Sequence, residues 1–278
     1  MFAQDYYCLV AGLRDYALDA DTKGFDAEAI RSEILEGVSK ADARQVRLLY
    51  GYYDCENLVA LRAGRSAHNP LGNLSRAELE EEALSPRRLP KLVARVVEAY
   101  NDPEGEQAEE FDASQRFEKA LFEAYYQSVE REGCRFLQAW AQFDRNLRNL
   151  AAAVSARAMG RPISEVTVGG GEVVDAVEHN SAADFGLRGE VAYIDAVIAA
   201  IAEEANIVEK EHKIDQIRWS ESESLSEFDY FDINALLAYL VRVNLVARWS
   251  LLDATRGREM FERLMAGLDS RELIENKQ

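Results

Sequence analysis

Glu209 and His212 stand three residues apart in EKEHKIDQ, the spacing by which one helix of a di-iron bundle offers a carboxylate and an imidazole to the same metal. Such a centre needs a second E-x-x-H and two more inward carboxylates, and neither His68 nor His179 has a Glu three residues before it. A solvated helix face is expected instead. Gly169, Gly170 and Gly171 precede a helical run from Glu172, where backbone N–H groups could cradle phosphate. Glu172 sits in the anion's place and the Lys–Ser/Thr of a P-loop is missing, so a hinge or a tight lead into the helix is expected. Asp184-Phe185-Gly186 spells the metal-binding tripeptide of kinases without its companion loops; the expectation is a turn capped by Ser181. The histidines lie in separate polar segments and give Cys8, Cys55 and Cys134 no general base. No catalytic residue, cofactor or metal is expected.

Charge points to partners rather than to reactions. The 50 acidic residues against 32 basic ones leave a net charge of -18, a field that repels nucleic acid and anionic lipid. Against it stand two local groups of cations: Arg87, Arg88 and Lys91, and the series Arg145, Arg148, Arg157 and Arg161 along one long helix. These are candidate contacts for an acidic partner, although pairing with the chain's own abundant carboxylates is the favoured expectation. Three widely spaced cysteines fit no zinc or redox pattern and read as reduced thiols of a cytoplasmic protein. The N-terminal MFAQDYYCLV is acidic where a signal peptide is basic. The most apolar runs, from Val191 and from Ala235, are interrupted by Asp195, Arg242 and Asn244 and fall short of the roughly 20 residues a membrane span needs.

The elements that must position these residues are helices. Ala, Leu, Glu and Arg recur, only 5 prolines interrupt them, and no alternating strand series appears. YYCLVAGL, from Tyr6, reads as extended or ambiguous. Helical spacing then runs from Ser39 to Gly64, from the Ser75–Glu78 capping box, and from Pro86 to Tyr100. The polar stretch 101–112 is the best linker. Two long helices follow, 114 to about 132 and 134 to about 159, with Gly160 as a C-terminal cap. Later helices are expected from Glu190 to Asn206, around Ile214, and from about Asp232 and Thr255, with SESESLSE between them as a polar loop. The class is all-α.

An aromatic–Asp pair followed by an Asn recurs about every 90 residues: Tyr53, Asp54 and Asn57; Phe143, Asp144 and Asn146; Phe231, Asp232 and Asn234. Even spacing suggests three related modules, at 1–105, 106–188 and 189–278, in which the Asp holds helices in register or contacts a partner.

The run from Phe143 to Gly171, FDRNLRNLAAAVSARAMGRPISEVTVGGG, resembles the C (also called d) subunit of V/A-type ATPases, a helical, three-module, funnel-shaped family. YYCLVAGL, YDCENL, FDRNLRNL, SAADFGL, KIDQIRW and FDYFDINALLAYLVRVNLVARW resemble more closely still an uncharacterised bacterial family associated with V-type ATPase operons. The resemblance implies a non-catalytic adaptor that seats the rotating central shaft on the membrane rotor ring. It implies a part in ion or proton transport without a nucleotide site of its own, and a cytoplasmic place reached through partner subunits. The rival expectations are an all-α enzyme, which a deep polar pocket with shifted carboxylates would favour, and a helical scaffold unconnected with an ATPase.

Overall fold

The computed structural model describes residues 5–18, 24–105, 115–203 and 206–252. Its first element, α1 (Tyr7–Gly12), is helical where the sequence alone leaves an extended or ambiguous segment. One and a half turns are too short to stand alone, and tertiary contacts hold them: Tyr6 is buried, its N–H donates to the Phe231 carbonyl and its hydroxyl to Asp42. Asp26 caps α2 (Ala27–Gly37) and Ser39 caps α3 (Lys40–Arg62), each side chain accepting from first-turn N–H groups that no helix can satisfy internally.

The expected capping box is present at the head of α4 (Arg76–Leu84), with Ser75 and Glu78 bonded reciprocally. A bend then leads into α5 (Lys91–Asn101), and a buried carboxylate organises it: Glu82 accepts from the N–H groups of Arg87 (2.7 Å) and Arg88 (2.8 Å). Burial alone would raise the Glu82 pKa, but these donors and the Arg88 guanidinium more than offset it, and the net shift is downward. Arg88 also pairs with Glu78 at 2.7 Å, so this member of the first basic group is engaged within the chain. Glu82→Ala orphans the backbone donors of Arg87 and Arg88 and the longer one of Leu89, and is expected to cost about 2 kcal/mol, read as a lowered denaturation midpoint with unchanged helix content.

Gly133 joins α6 (Phe117–Glu132) to α7 (Arg135–Ala158). The long helices α3 and α7 end alike: Gly64 and Gly160 take positive φ (68° and 65°), and the next N–H reaches back to Ala60 or Ala156. After α7 come a short 3-10 turn at Ile163–Glu165 and α8 (Glu172–His179), which Gly171 leads in at φ 106°. The long helix expected over 190–206 is instead α9 (Ile194–Ile198) continued by a π turn at Ala199–Glu203. The widened turn accompanies full burial of both Val197 and Ala200.

SESESLSE is not a loop. Helix α10 (Ile207–Leu225) runs through most of it, because Ser222 is fully buried and donates to the Ala238 carbonyl of α11 (Ile233–Leu252). Packing there overrides the weak helix propensity of serine. The expected helix at Thr255 and residues 106–112 of the linker lie outside the described residues.

Among the described residues there is no strand, and the all-α class stands. Helix α6 packs on α3, α5 and α7, while α7 also meets α8, α9, α10 and α11. Buried side chains from all three sequence stretches, including Tyr50, Phe136, Leu150 and Leu236, form one continuous core. No described helix is long and apolar enough to cross a membrane.

Candidate functional site

A cavity of about 1050 Å³ lies between α3, α7, α10 and α11. Tyr52, Tyr126 and Trp140 contribute aromatic lining, and charged groups line it further. Six of these charges alternate in sign as one ladder. Arg148 donates to Asp144 at 2.7 Å, Arg218 joins Asp144 (3.1 Å) to Asp215 (2.7 Å), and Arg248 joins Asp215 (2.7 Å) to Glu211. The Trp249 indole N–H adds a third donor to Asp215 at 2.9 Å. Three helices, α7, α10 and α11, are thus tied through side chains that an apolar environment would penalise if unpaired.

The chemistry of this arrangement is electrostatic. Burial pushes the Asp144 carboxyl up, but Arg148 and Arg218 more than offset that and hold it below its ordinary value. Burial raises the neighbouring Tyr52 and Tyr126 hydroxyls, and it pushes the Cys55 thiol well up, away from nucleophilic use. The Asp144 carboxylate is thus engaged with arginine rather than poised to exchange a proton.

Two loops border the cavity, and each is gripped by an asparagine of a long helix. Asn57 on α3 donates to the Asn69 carbonyl (3.0 Å) and accepts from its N–H (2.6 Å). Asn149 on α7 does the same to Val168, at 3.0 and 2.9 Å. The first loop then enters α4 and the second α8. Asp54 extends the first grip by accepting from Asn73 N–H (2.8 Å) and Leu74 N–H (3.1 Å), while its burial raises its pKa. The approach is so close that a Cβ on Gly72 would lie 2.8 Å from the Asp54 carboxylate. A larger residue there would push aside the bonded Asp54 and Asn57 side chains.

Of the four arginines singled out in the sequence, three bond within the chain and Arg161 makes only a distant ion pair. Arg148 is a clamp on its own helix, though 40% of its side chain remains exposed at the cavity. Arg145 pairs with Glu130 at 3.0 Å and lies along Gly169. Arg157 donates to the carbonyls of Ala182 (2.6 Å) and Asn180 (2.9 Å) and stacks on Phe185. That explains Asp184-Phe185-Gly186: it is a turn locked by Arg157, and Asn180 rather than Ser181 caps it, accepting from the Ala182 N–H. Arg161 is exposed and stands 3.9 Å from Glu165.

The aromatic–Asp pairs occupy unlike places. Tyr53 and Asp54 lie within α3, and Phe143 and Asp144 within α7, whereas Phe231 and Asp232 precede α11, with Asp232 as its cap. Asn234 fixes the Phe136 N–H and donates to Asp232, and Asn146 is half-buried on α7. Three of the chain's five Asn–Leu steps, Asn57-Leu58, Asn149-Leu150 and Asn244-Leu245, also lie about 90 residues apart. The first two make equivalent grips; Asn244 accepts from the Tyr50 hydroxyl at 2.8 Å. Sequence reasoning also passed over Asp215, Arg218 and Arg248. The signal for Arg248 was a cation inside the most apolar helical run, which calls for a buried partner.

Among the described residues no three His, Cys, Asp or Glu gather as a metal site; His212 lies edge-on to Trp249. Cys8, Cys55 and Cys134 are free thiols.

Fold and site together define an all-helical protein with a large cavity walled by charge-paired arginines. The chain belongs to the family described as protein of unknown function (DUF2764), which matches residues 3–271. No curated protein and no solved structure matches it.

Proposed function

We propose that the chain is a non-catalytic adaptor of the V/A-type ATPase C/d kind, linking a rotating shaft to a membrane rotor ring while other subunits hydrolyse ATP. The observation that carries this reading is the pair of like units, α3–loop–α4 and α7–loop–α8, each closed by an asparagine grip and each bordering the same cavity. Together with the third Asn–Leu pair at 244–245 they support a plan of three related modules, as the resemblance of residues 143–171 to that subunit implies. On this reading the cavity receives the end of the shaft. The ladder stiffens its wall, and exposed groups at its mouth, such as Arg65, meet the partner's charges. The protein is then peripheral to the membrane through its partners.

The size of the cavity favours a second reading, an all-α enzyme. Against it, Asp144 and Asp215 are saturated by arginines. Isolation of the native protein from gently solubilised membranes decides between the readings. Shaft and ring subunits of a V/A-type ATPase are expected to co-purify with it. Recovery as a free chain, with those subunits assembled elsewhere, rejects the adaptor.

A further inference from the structure

Away from the cavity, four aromatic side chains stand in solvent at the junction of α1 with the α10–α11 turn. Phe228, Tyr230 and Tyr7 are 80%, 65% and 56% exposed, and Phe231 is 38% exposed. Tyr7 and Tyr230 both lie against Phe231, with ring centroids 4.4 and 6.4 Å away, and Phe228 belongs to the same turn. Half of the large hydrophobic residues exposed on the described chain are in this one place. Scattered exposed hydrophobes need no explanation, but a cluster marks an interaction surface.

The patch is held ready. Tyr6 N–H donates to the Phe231 carbonyl, Asp232 caps α11, and Asn234 accepts from Phe136 N–H at 3.1 Å. Ordering cost on binding is therefore small. Its surroundings are acidic: Asp5 and Glu227 are exposed, Asp229 and Asp232 lie beside the rings, and the nearby cation Arg135 is already bonded to Asp229. Aromatic faces among carboxylates suit Lys or Arg side chains carried on an apolar segment. The same charges oppose an anionic membrane or a nucleic acid. Residue 231 lies about 20 Å along the α11 direction from Asn244 at the cavity, so the two surfaces are separate.

We infer that this patch is a docking surface, and that its occupant is a basic segment with apolar side chains on a partner protein. The inference does not rest on the reading of the cavity. The test uses the full chain, a dye-labelled amphipathic Leu/Lys peptide, a Leu/Glu peptide of the same pattern, and vesicles rich in phosphatidylserine. Fluorescence anisotropy at physiological salt is expected to show the Leu/Lys peptide binding and the Leu/Glu peptide not. Phe228→Ser with Tyr230→Ser is expected to weaken binding at least ten-fold at an unchanged melting temperature, and Glu227→Lys several-fold. Failure of the Leu/Lys peptide to bind overturns the inference. So does equal binding to the aromatic double variant, which would assign the attraction to net charge alone. Vesicles that sediment the unaltered chain but not the double variant overturn it in favour of a membrane surface.

Discussion

Asp144→Ala is expected to lower the stability of the folded chain by about 3 kcal/mol, because it leaves two arginines facing a site built around a shared carboxylate. Arg218 is the costlier loss: its side chain is 11% exposed, whereas Arg148, at 40%, can turn to the water of the cavity. The figure is accordingly placed at the low end for a broken buried pair. Denaturant titration of the two proteins measures it. The pH dependence follows from the same carboxyl. Its folded pKa is depressed below the unfolded value of about 3.9. Its contribution is thus fully present above pH ~4 and is lost as the pH falls through the lower folded value. Acid titration of the Asp144→Ala protein should lack that part of the stability loss. An unchanged midpoint at neutral pH would show that the ladder contributes nothing to holding α7 on α10.

Asn149→Ala is expected to cost about 2 kcal/mol, since the Val168 N–H and carbonyl both lose their partner. Asn57→Ala removes the matching grip on Asn69, yet the two loops should respond differently. The loop after α3 keeps four of its other hydrogen bonds: Asp54 on the N–H groups of Asn73 and Leu74, and Arg31 on the carbonyls of Leu71 (3.0 Å) and Gly72 (3.1 Å). The loop after α7 keeps the contact of Thr167 with Glu178 (2.5 Å) and that of Lys119 with the Ser164 carbonyl (3.1 Å). Hydrogen exchange should therefore rise across 163–171 in the Asn149 variant. In the Asn57 variant it should rise chiefly at Asn69. Equal and widespread exchange in both would mean that the grips merely decorate loops held by packing.

The helical class was legible because helical spacing and caps are local signals. Ser75 with Glu78, Ser39, Gly64 and Gly160 each act within a few residues of themselves. What escaped was set by distant partners. Helix α1 exists because Tyr6 is anchored by residues 231 and 42, and α10 continues through its serines because Ser222 meets α11. The site divides the same way. Asp144, Arg148 and Asn57 stood out by type and spacing, and all three line the cavity. Asp215 and Arg218 did not, for an i, i+3 pair looks like surface charge until another helix closes over it. The recurring aromatic–Asp–Asn signature included Asp54, Asn57 and Asp144, which bond across the fold, but it did not include Asn149, whose grip on Val168 depends on a loop 19 residues away.

Tyr50 and Asn244, joined at 2.8 Å, lie on the first long helix and the last described one. Tyr239 likewise donates to the Arg14 carbonyl at 2.9 Å, and Tyr6 to the carbonyl of Phe231 through its N–H. Seen from the ribosome, the opening helices emerge long before the surface that completes them. At ordinary elongation rates that interval is on the order of ten seconds or more. For that time α1 to α3 must hold a partly unburied core while α6 and α7 arrive, and the Tyr50 hydroxyl waits for its partner. The last described helix then acts as a bolt, and the fold closes only when α11 has been drawn onto the opening helices.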